Sequence, residues 1–208
     1  MDAPAPQTPR RVALLYTEGW ERTVDDAKQA LKDVRARLES AGIEVVEGTS
    51  HDRVALVEDA ITGGVELSGG LNNWDFRWPL NTYAHDMDRN GLSQQALDRL
   101  VAAEAMTHED YQVLLRKRQS VRDIYNALKG DVEVCVTLSA PGPAPVGLEW
   151  TGDPVFAVPS SVLGTPSISL PVLKADGLPL GLQVMGYANE DAATMAAARA
   201  VLALYSDE

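Results

Sequence analysis

Residues 176–186 read DGLPLGLQVMG, and the fold turns on whether this stretch is a tight turn feeding a buried strand. Asp176-Gly177 is a two-residue turn signal, because both residues tolerate the positive φ that a tight hairpin demands. After Pro179, the run LGLQVMG (180–186) is apolar on both sides, and Gly181 and Gly186 mark places where a neighbouring backbone can come close. Upstream, SISLPVL (167–173) is its antiparallel partner. Apolar on both faces, the two strands are expected inside a central sheet covered by helices, away from its edge. Gln183 is the polar residue of that core strand, and a buried amide serving the backbone of a neighbouring loop is its structural reading.

Moving outward, RVALLYT (11–17) suits a buried strand. From Thr23 to Ala41 the apolar residues Val24, Ala27, Ala30, Leu31, Val34 and Leu38 recur at helical spacing, with Thr23 as N-cap and Gly42 just past the end. IEVVEG (43–48) then reads as a second strand, and a strand, helix, strand unit favours parallel pairing. Between residues 51 and 78 the helical pattern is interrupted by two Gly-Gly pairs, and residues 79–91 are polar without a clear period. Helices are predicted over 92–105 and 107–129, with Thr107 opening the second and Gly130 stopping it. VEVCVTL (132–138) is a buried strand, a proline-rich loop follows, and an alanine-rich helix closes the chain over 190–205. These elements predict one α/β domain over residues 11–208 behind a flexible lead-in at 1–10. Its core is a mixed β-sheet of at least five strands, parallel early and antiparallel late, with helices on both faces.

The chain has 208 residues and a formal charge of −12, which disfavours phosphate backbones and anionic lipid surfaces. Neither nucleic acid nor membrane is expected as a partner, and no apolar run reaches the ~20 residues that cross a bilayer. The single cysteine, Cys135, leaves no intrachain disulfide framework, and a reducing, cytoplasmic setting is the default. There is no CxxC, HExxH, Walker or GxGxxG motif, and His51, His85 and His108 share no metal-ligand spacing, so neither metal nor cofactor is expected.

The run FAVPSSVLGTPSISLPVLKADGLPLGLQVMGYANEDAATMAAARAVLAL (156–204) resembles the C-terminal end of the amidase signature family. There, a Phe-x-x-Pro turn and Gly-x-Pro lead into a strand, a Gly-Leu-Pro-x-Gly-Leu-Gln hairpin and a closing helix. Gly164, Pro166, Pro171, Asp176, Gly177, Leu178, Pro179, Gly181, Leu182, Gln183 and Gly186 fit that pattern. The strand and helix of residues 11–47, and RQSVRDIYNALKG before VEVCVTL, resemble earlier elements of the same family, so the resemblance covers roughly 11–205. At the end of the 132–138 strand, where the family commonly has proline-threonine, this chain has Leu138-Ser139.

The resemblance implies carboxylic amide hydrolysis by acyl transfer to serine and then to water. It also implies that the family's nucleophilic serine, second serine and lysine precede the portion resembled here, so no catalytic residue is carried over. Ser160-Ser161 falls in the turn where the family commonly has an asparagine-containing loop lining the acyl pocket, with Ser161 at the asparagine position. A hydroxyl bonded to the turn backbone is the alternative reading of Ser161. Trp74, Phe76 and Trp78 fall near the family's substrate-binding insert, where they line either a pocket or a satellite core. Ser68, beside Gly69-Gly70, is a serine on a glycine-rich turn with no lysine before it at a suggestive distance.

Two functions follow as expectations. The chain is the C-terminal part of an amidase hydrolase, inactive alone, supplying sheet and pocket wall to a complementary N-terminal catalytic half or to a homo-oligomer that takes a small-molecule amide. Alternatively, it is a stand-alone non-catalytic binding or partner subunit derived from that fold. A rearranged nucleophile among Ser68, Ser160 and Ser161 is a third reading.

Overall fold

The computed structural model describes residues 4–206. Of the lead-in expected over 1–10, residues 1–3 lie outside the described residues. From Pro4 on, the segment is tied to the rest: Arg199 donates to the Pro4 carbonyl, and Gln7 N–H donates to Ala196 O at 3.0 Å.

Two compact units make up the chain, one comprising residues 1–62 and 121–208, the other residues 63–120. The first unit holds a five-stranded mixed sheet: β1 (Arg11–Leu14), β2 (Glu44–Val46), β3 (Val134–Leu138), β4 (Ser167–Ala175) and β5 (Leu178–Met185), ordered β2-β1-β3-β5-β4. β1 is parallel to both β2 and β3, whereas β5 runs antiparallel to β3 and β4. The strand, helix, strand unit is present, with α1 (Asp25–Ser40) joining β1 to β2.

Strand alternation sorts the side chains onto two faces. Val12, Leu14, Val136, Leu138, Leu182 and Val184 form one cluster with Leu31, Val34 and Leu38 of α1 and with Ala197, Ala198 and Val201 of α7 (Asp191–Ala203). The opposite face carries Ala13, Leu15, Cys135 and Met185, all buried. Tyr125, from α5 (His108–Asn126), lies over that face and donates its hydroxyl to Gly186 O at 3.0 Å. Burial pushes the Cys135 thiol up to about 12, leaving it a packing residue.

Helix α1 opens differently from expectation. Val24 occupies the N-cap position without a side-chain bond, and Thr23, buried, donates its hydroxyl to Gly19 O at 2.8 Å. The cap position is thus left to backbone geometry because the threonine hydroxyl is used one turn earlier. A second correction concerns the late hairpin: β4 is an edge strand, with alternating burial along its length and a register irregularity between Leu170 and Leu173. Pro171, which cannot donate to a ladder, suits that edge.

The second unit is helical. α2 (Asp52–Ile61) belongs to the first unit and is followed by Gly63, whose φ of +75 marks the start of a new helix, α3 (Gly64–Asp86). Thus one Gly-Gly pair breaks the helix, while Gly69-Gly70 lies inside α3. A Cβ at Gly70 would stand 2.8 Å from Leu114 Cδ1, so the glycine admits the leucine. Residues 79–86, expected to be aperiodic, continue α3 with Pro79 inside it. α4 (Gln94–Ala105) is capped by Ser93, which accepts Ala96 N–H at 3.2 Å. The helix packs against α3, with Leu100 and Ala103 buried. Thr107 opens α5 as predicted, accepting Asp110 N–H at 3.2 Å while Asp110 accepts Thr107 N–H at 2.9 Å. No helix among the described residues is long and apolar enough to cross a membrane.

Candidate functional site

The carboxyl ends of parallel strands are where open α/β sheets carry their sites. At that end of this sheet, Asp176 (φ +50) and Gly177 (φ +74) form a two-residue turn, with Ala175 paired to Leu178 and Lys174 to Pro179. The Asp176 N–H is fixed by Asp26 of α1 at 3.1 Å. Further along β5, Gly181 forms the floor under a pair of serines: Ser139 Oγ and Ser169 Oγ are 2.7 Å apart, and a Cβ at Gly181 would lie 2.6 and 2.2 Å from them. Gly181 O also accepts Ser139 N–H at 2.9 Å.

Ahead of β4 lies α6 (Val158–Leu163), which follows a 3-10 turn at Pro154–Phe156. Gln183 is buried and its Nε2 donates to Phe156 O at 3.0 Å, joining β5 to the start of α6. Gly164 (φ +68) ends the helix, and Arg122 Nε donates to Val162 O at 2.8 Å. A Cβ at Gly164 would stand 2.8 Å from Arg122 Nη2, so glycine meets both the left-handed conformation and the close approach. Pro166 O accepts Gly186 N–H at 3.0 Å. Ser160 Oγ donates to Ala157 O at 3.0 Å, and Ser161 is exposed on the same helix. The backbone-bonded hydroxyl of this turn therefore belongs to Ser160, one residue before the position at which the sequence suggests it.

The aromatic trio lies in the other unit, on α3. Helical geometry turns each residue by about 100°, so Trp74 and Trp78 share a side while Phe76 points away from both. Trp74 stacks on Tyr111 with ring centres 5.0 Å apart, and Arg77 lies 5.3 Å over the Trp74 ring. Phe76 receives Arg99 at 5.4 Å, and Trp78 is 76% exposed. Ser68 is inside α3, where its Oγ accepts from Asn72 Nδ2 at 3.4 Å, and is not displayed on a turn.

Several residues had no motif to announce them. Tyr16, just after β1, donates its hydroxyl to Glu47 Oε2 at 2.6 Å, and Arg35 pairs with Glu47 at 3.0 Å. The Tyr16 bond holds the Glu47 carboxyl below its ordinary value, whereas burial and the Glu47 charge push the Tyr16 phenol up to about 12. Glu58 of α2 accepts Tyr16 N–H at 2.6 Å, and burial raises its carboxyl above the ordinary value. At the opposite end of the sheet a cleft of about 560 Å³ is lined by Arg10, Arg11, Lys129, Asp131, Glu133 and Glu190, among others. Its charges answer one another: Arg11 meets Glu44 at 2.8 Å and Arg10 meets Glu133 at 3.4 Å. Thr137, buried, is without a hydrogen-bond partner for its hydroxyl among the described residues.

A mixed sheet with a glycine-floored late hairpin, joined through Gln183 to a short serine-bearing helix, is an amidase-type α/β fold. The amidase family model matches residues 2–195, and the chain belongs to that family. The glutamyl-tRNA(Gln) amidotransferase of Hyphomonas neptunium has an A subunit that is 31% identical over an alignment of 180 residues that covers 76% of this chain and 37% of that protein. Its counterpart from Bacillus licheniformis is 28% identical over an alignment of 188 residues that covers 80% of this chain and 39% of that protein. A solved amidase superposes with a TM-score of 0.79 at 25% identity, over 97% of this chain and 46% of its own. The chain thus spans about two fifths of the length of the relatives it matches.

Proposed function

We propose that this chain supplies half of the central sheet and one wall of the acyl pocket of a carboxylic amide hydrolase. In this reading the serine, serine, lysine machinery comes from polypeptide outside these 208 residues. One observation carries the reading: the turn leading into α6, the helix of Ser160 and Ser161, is joined through the Gln183 amide to the strand residue that pairs with Ser169, and the far end of α6 is held by Arg122. A pocket wall needs that kind of rigid support, because a reacting carbonyl must be held to within a fraction of an ångström of its nucleophile. The wall would orient the acyl part of a small amide while the nucleophile attacks its carbonyl and expels the amine. Within the helical unit by itself, Trp74, Phe76 and Trp78 are proposed as apolar side chains available to a substrate, Phe76 on the side of α3 opposite the two tryptophans.

The partner-subunit reading has its own support. The amidotransferase relatives are subunits by name, and the proline-rich loop after β3 leaves Val146, Leu148 and Trp150 exposed at 105, 99 and 60%. Loops that present three large apolar side chains are commonly covered by another chain.

Co-expression with the remaining N-terminal segment of the solved amidase tests the hydrolase reading. The expected result is a stable pair that hydrolyses an aryl amide, with no turnover by either chain alone. A stable pair without turnover, or turnover by this chain alone, would contradict it.

A further inference from the structure

The buried stripe of α2 is Val54, Val57 and Ile61. Glu58 follows Val54 by one helical turn, so its side chain is directed where an apolar residue would continue the stripe. There its carboxylate holds the backbone ahead of it: Oε1 accepts Tyr16 N–H at 2.6 Å, and the following Thr17 amide favours the charged carboxylate. Thr17 has a φ of +56, a left-handed conformation that costs a threonine about 1–2 kcal/mol. The carboxylate anchors the residue immediately before Thr17 through the Tyr16 N–H. Gly48 makes room for it, since a Cβ there would stand 2.7 Å from Glu58 Oε2.

The far side of the same turn is packed just as closely. Gly19 is buried, and a Cβ on it would lie 2.7 Å from Val155 Cγ1 and 2.8 Å from Phe156 Cε2. Gly19 N–H donates to Thr17 Oγ1 at 3.1 Å, and Gly19 O accepts the Thr23 hydroxyl, so the turn is cross-tied within itself. Val155 and Phe156 lead directly into α6. An unbroken line of contacts therefore runs from Glu58 through Thr17 and Gly19 to the helix bearing Ser160 and Ser161.

We propose that Glu58 is a positioning residue for α6: its grip on the Tyr16 amide fixes the 17–19 turn on which Val155 and Phe156 rest. Its bearing on substrate fit rests on the reading of α6 as pocket wall; the mechanical coupling does not.

Amide NMR of the full ¹⁵N-labelled chain tests the coupling. Glu58→Ala is expected to shift Tyr16 and Thr17 upfield and also to move Gly19, Val155 and Phe156. Glu58→Gln, which keeps an acceptor oxygen, is expected to leave Gly19, Val155 and Phe156 near their original positions. Gly48→Ala, which leaves the carboxylate in place chemically but displaces it sterically, is expected to reproduce the alanine pattern, and it supplies the comparison with Glu58→Gln if Glu58→Ala does not fold. Shifts confined to Tyr16 and Thr17, or a glutamine variant as disturbed as the alanine or Gly48→Ala variant, would overturn the proposal. No hydrolysis is measured, so failure here leaves the hydrolase reading standing, and failure of the reconstituted pair leaves this one standing.

Discussion

Gly186 shows how one absent methyl group sets the seat of a helix. A Cβ at that position would fall 1.7 Å from Thr194 Oγ1, whose hydroxyl donates to Glu190 O at the start of α7. Gly186→Ala is expected to cost about 3 kcal/mol in chemical denaturation, and adding Thr194→Ala should recover part of it. Thr137 is the opposite case, a buried hydroxyl with no partner among the described residues. Thr137→Val keeps the shape and removes the unpaired group, so a gain of about 1 kcal/mol is expected. A loss would mean that the hydroxyl is bonded. Glu58 carries a pH signature as well. Burial raises its pKa in the fold, with the neighbouring Glu47 charge acting in the same direction, so the folded state holds the proton more tightly than the unfolded chain. That contribution is complete below the unfolded value of 4.5 and is lost as pH climbs through the raised folded value. Glu58→Gln should flatten this part of the stability profile measured across acid to neutral pH.

Elements differ in how openly the sequence declares them. The hairpin is legible because Asp176-Gly177 and the flanking apolar runs agree, and the structure places both residues at positive φ. Gly177→Val is accordingly expected to cost about 1–2 kcal/mol, read as a lower melting temperature. Strand β4 reads as central because its composition is apolar, yet composition does not say which neighbour is absent. Its Pro171 is the available clue. In α3 the alternation Trp74, Phe76, Trp78 suggests a single cluster, but period-two spacing on a helix sends the middle residue away. The extension of α3 past Pro79 is hidden because its helical stripe is too polar to show a period. Glu58 shows in the sequence as a charge interrupting the Val54, Val57, Ile61 stripe; Arg122 offers no such sign, since its partner is a carbonyl forty residues away.

At the scale of the whole molecule, the sheet ends in an open strand at β4, and the loop after β3 holds Val146, Leu148 and Trp150 in solvent. Both are surfaces that natural proteins cover. The isolated chain is expected to self-associate, visible as a mass that rises with concentration in sedimentation experiments. Replacing Val146, Leu148 and Trp150 with serine should weaken that association about tenfold or more. The central claim is that the chain provides sheet and wall while the nucleophile lies elsewhere. Intact-mass analysis of the folded chain after treatment with a serine-reactive fluorophosphonate tests this most directly. The prediction is an unmodified mass; a single stoichiometric adduct mapping to Ser68, Ser160 or Ser161 would contradict it.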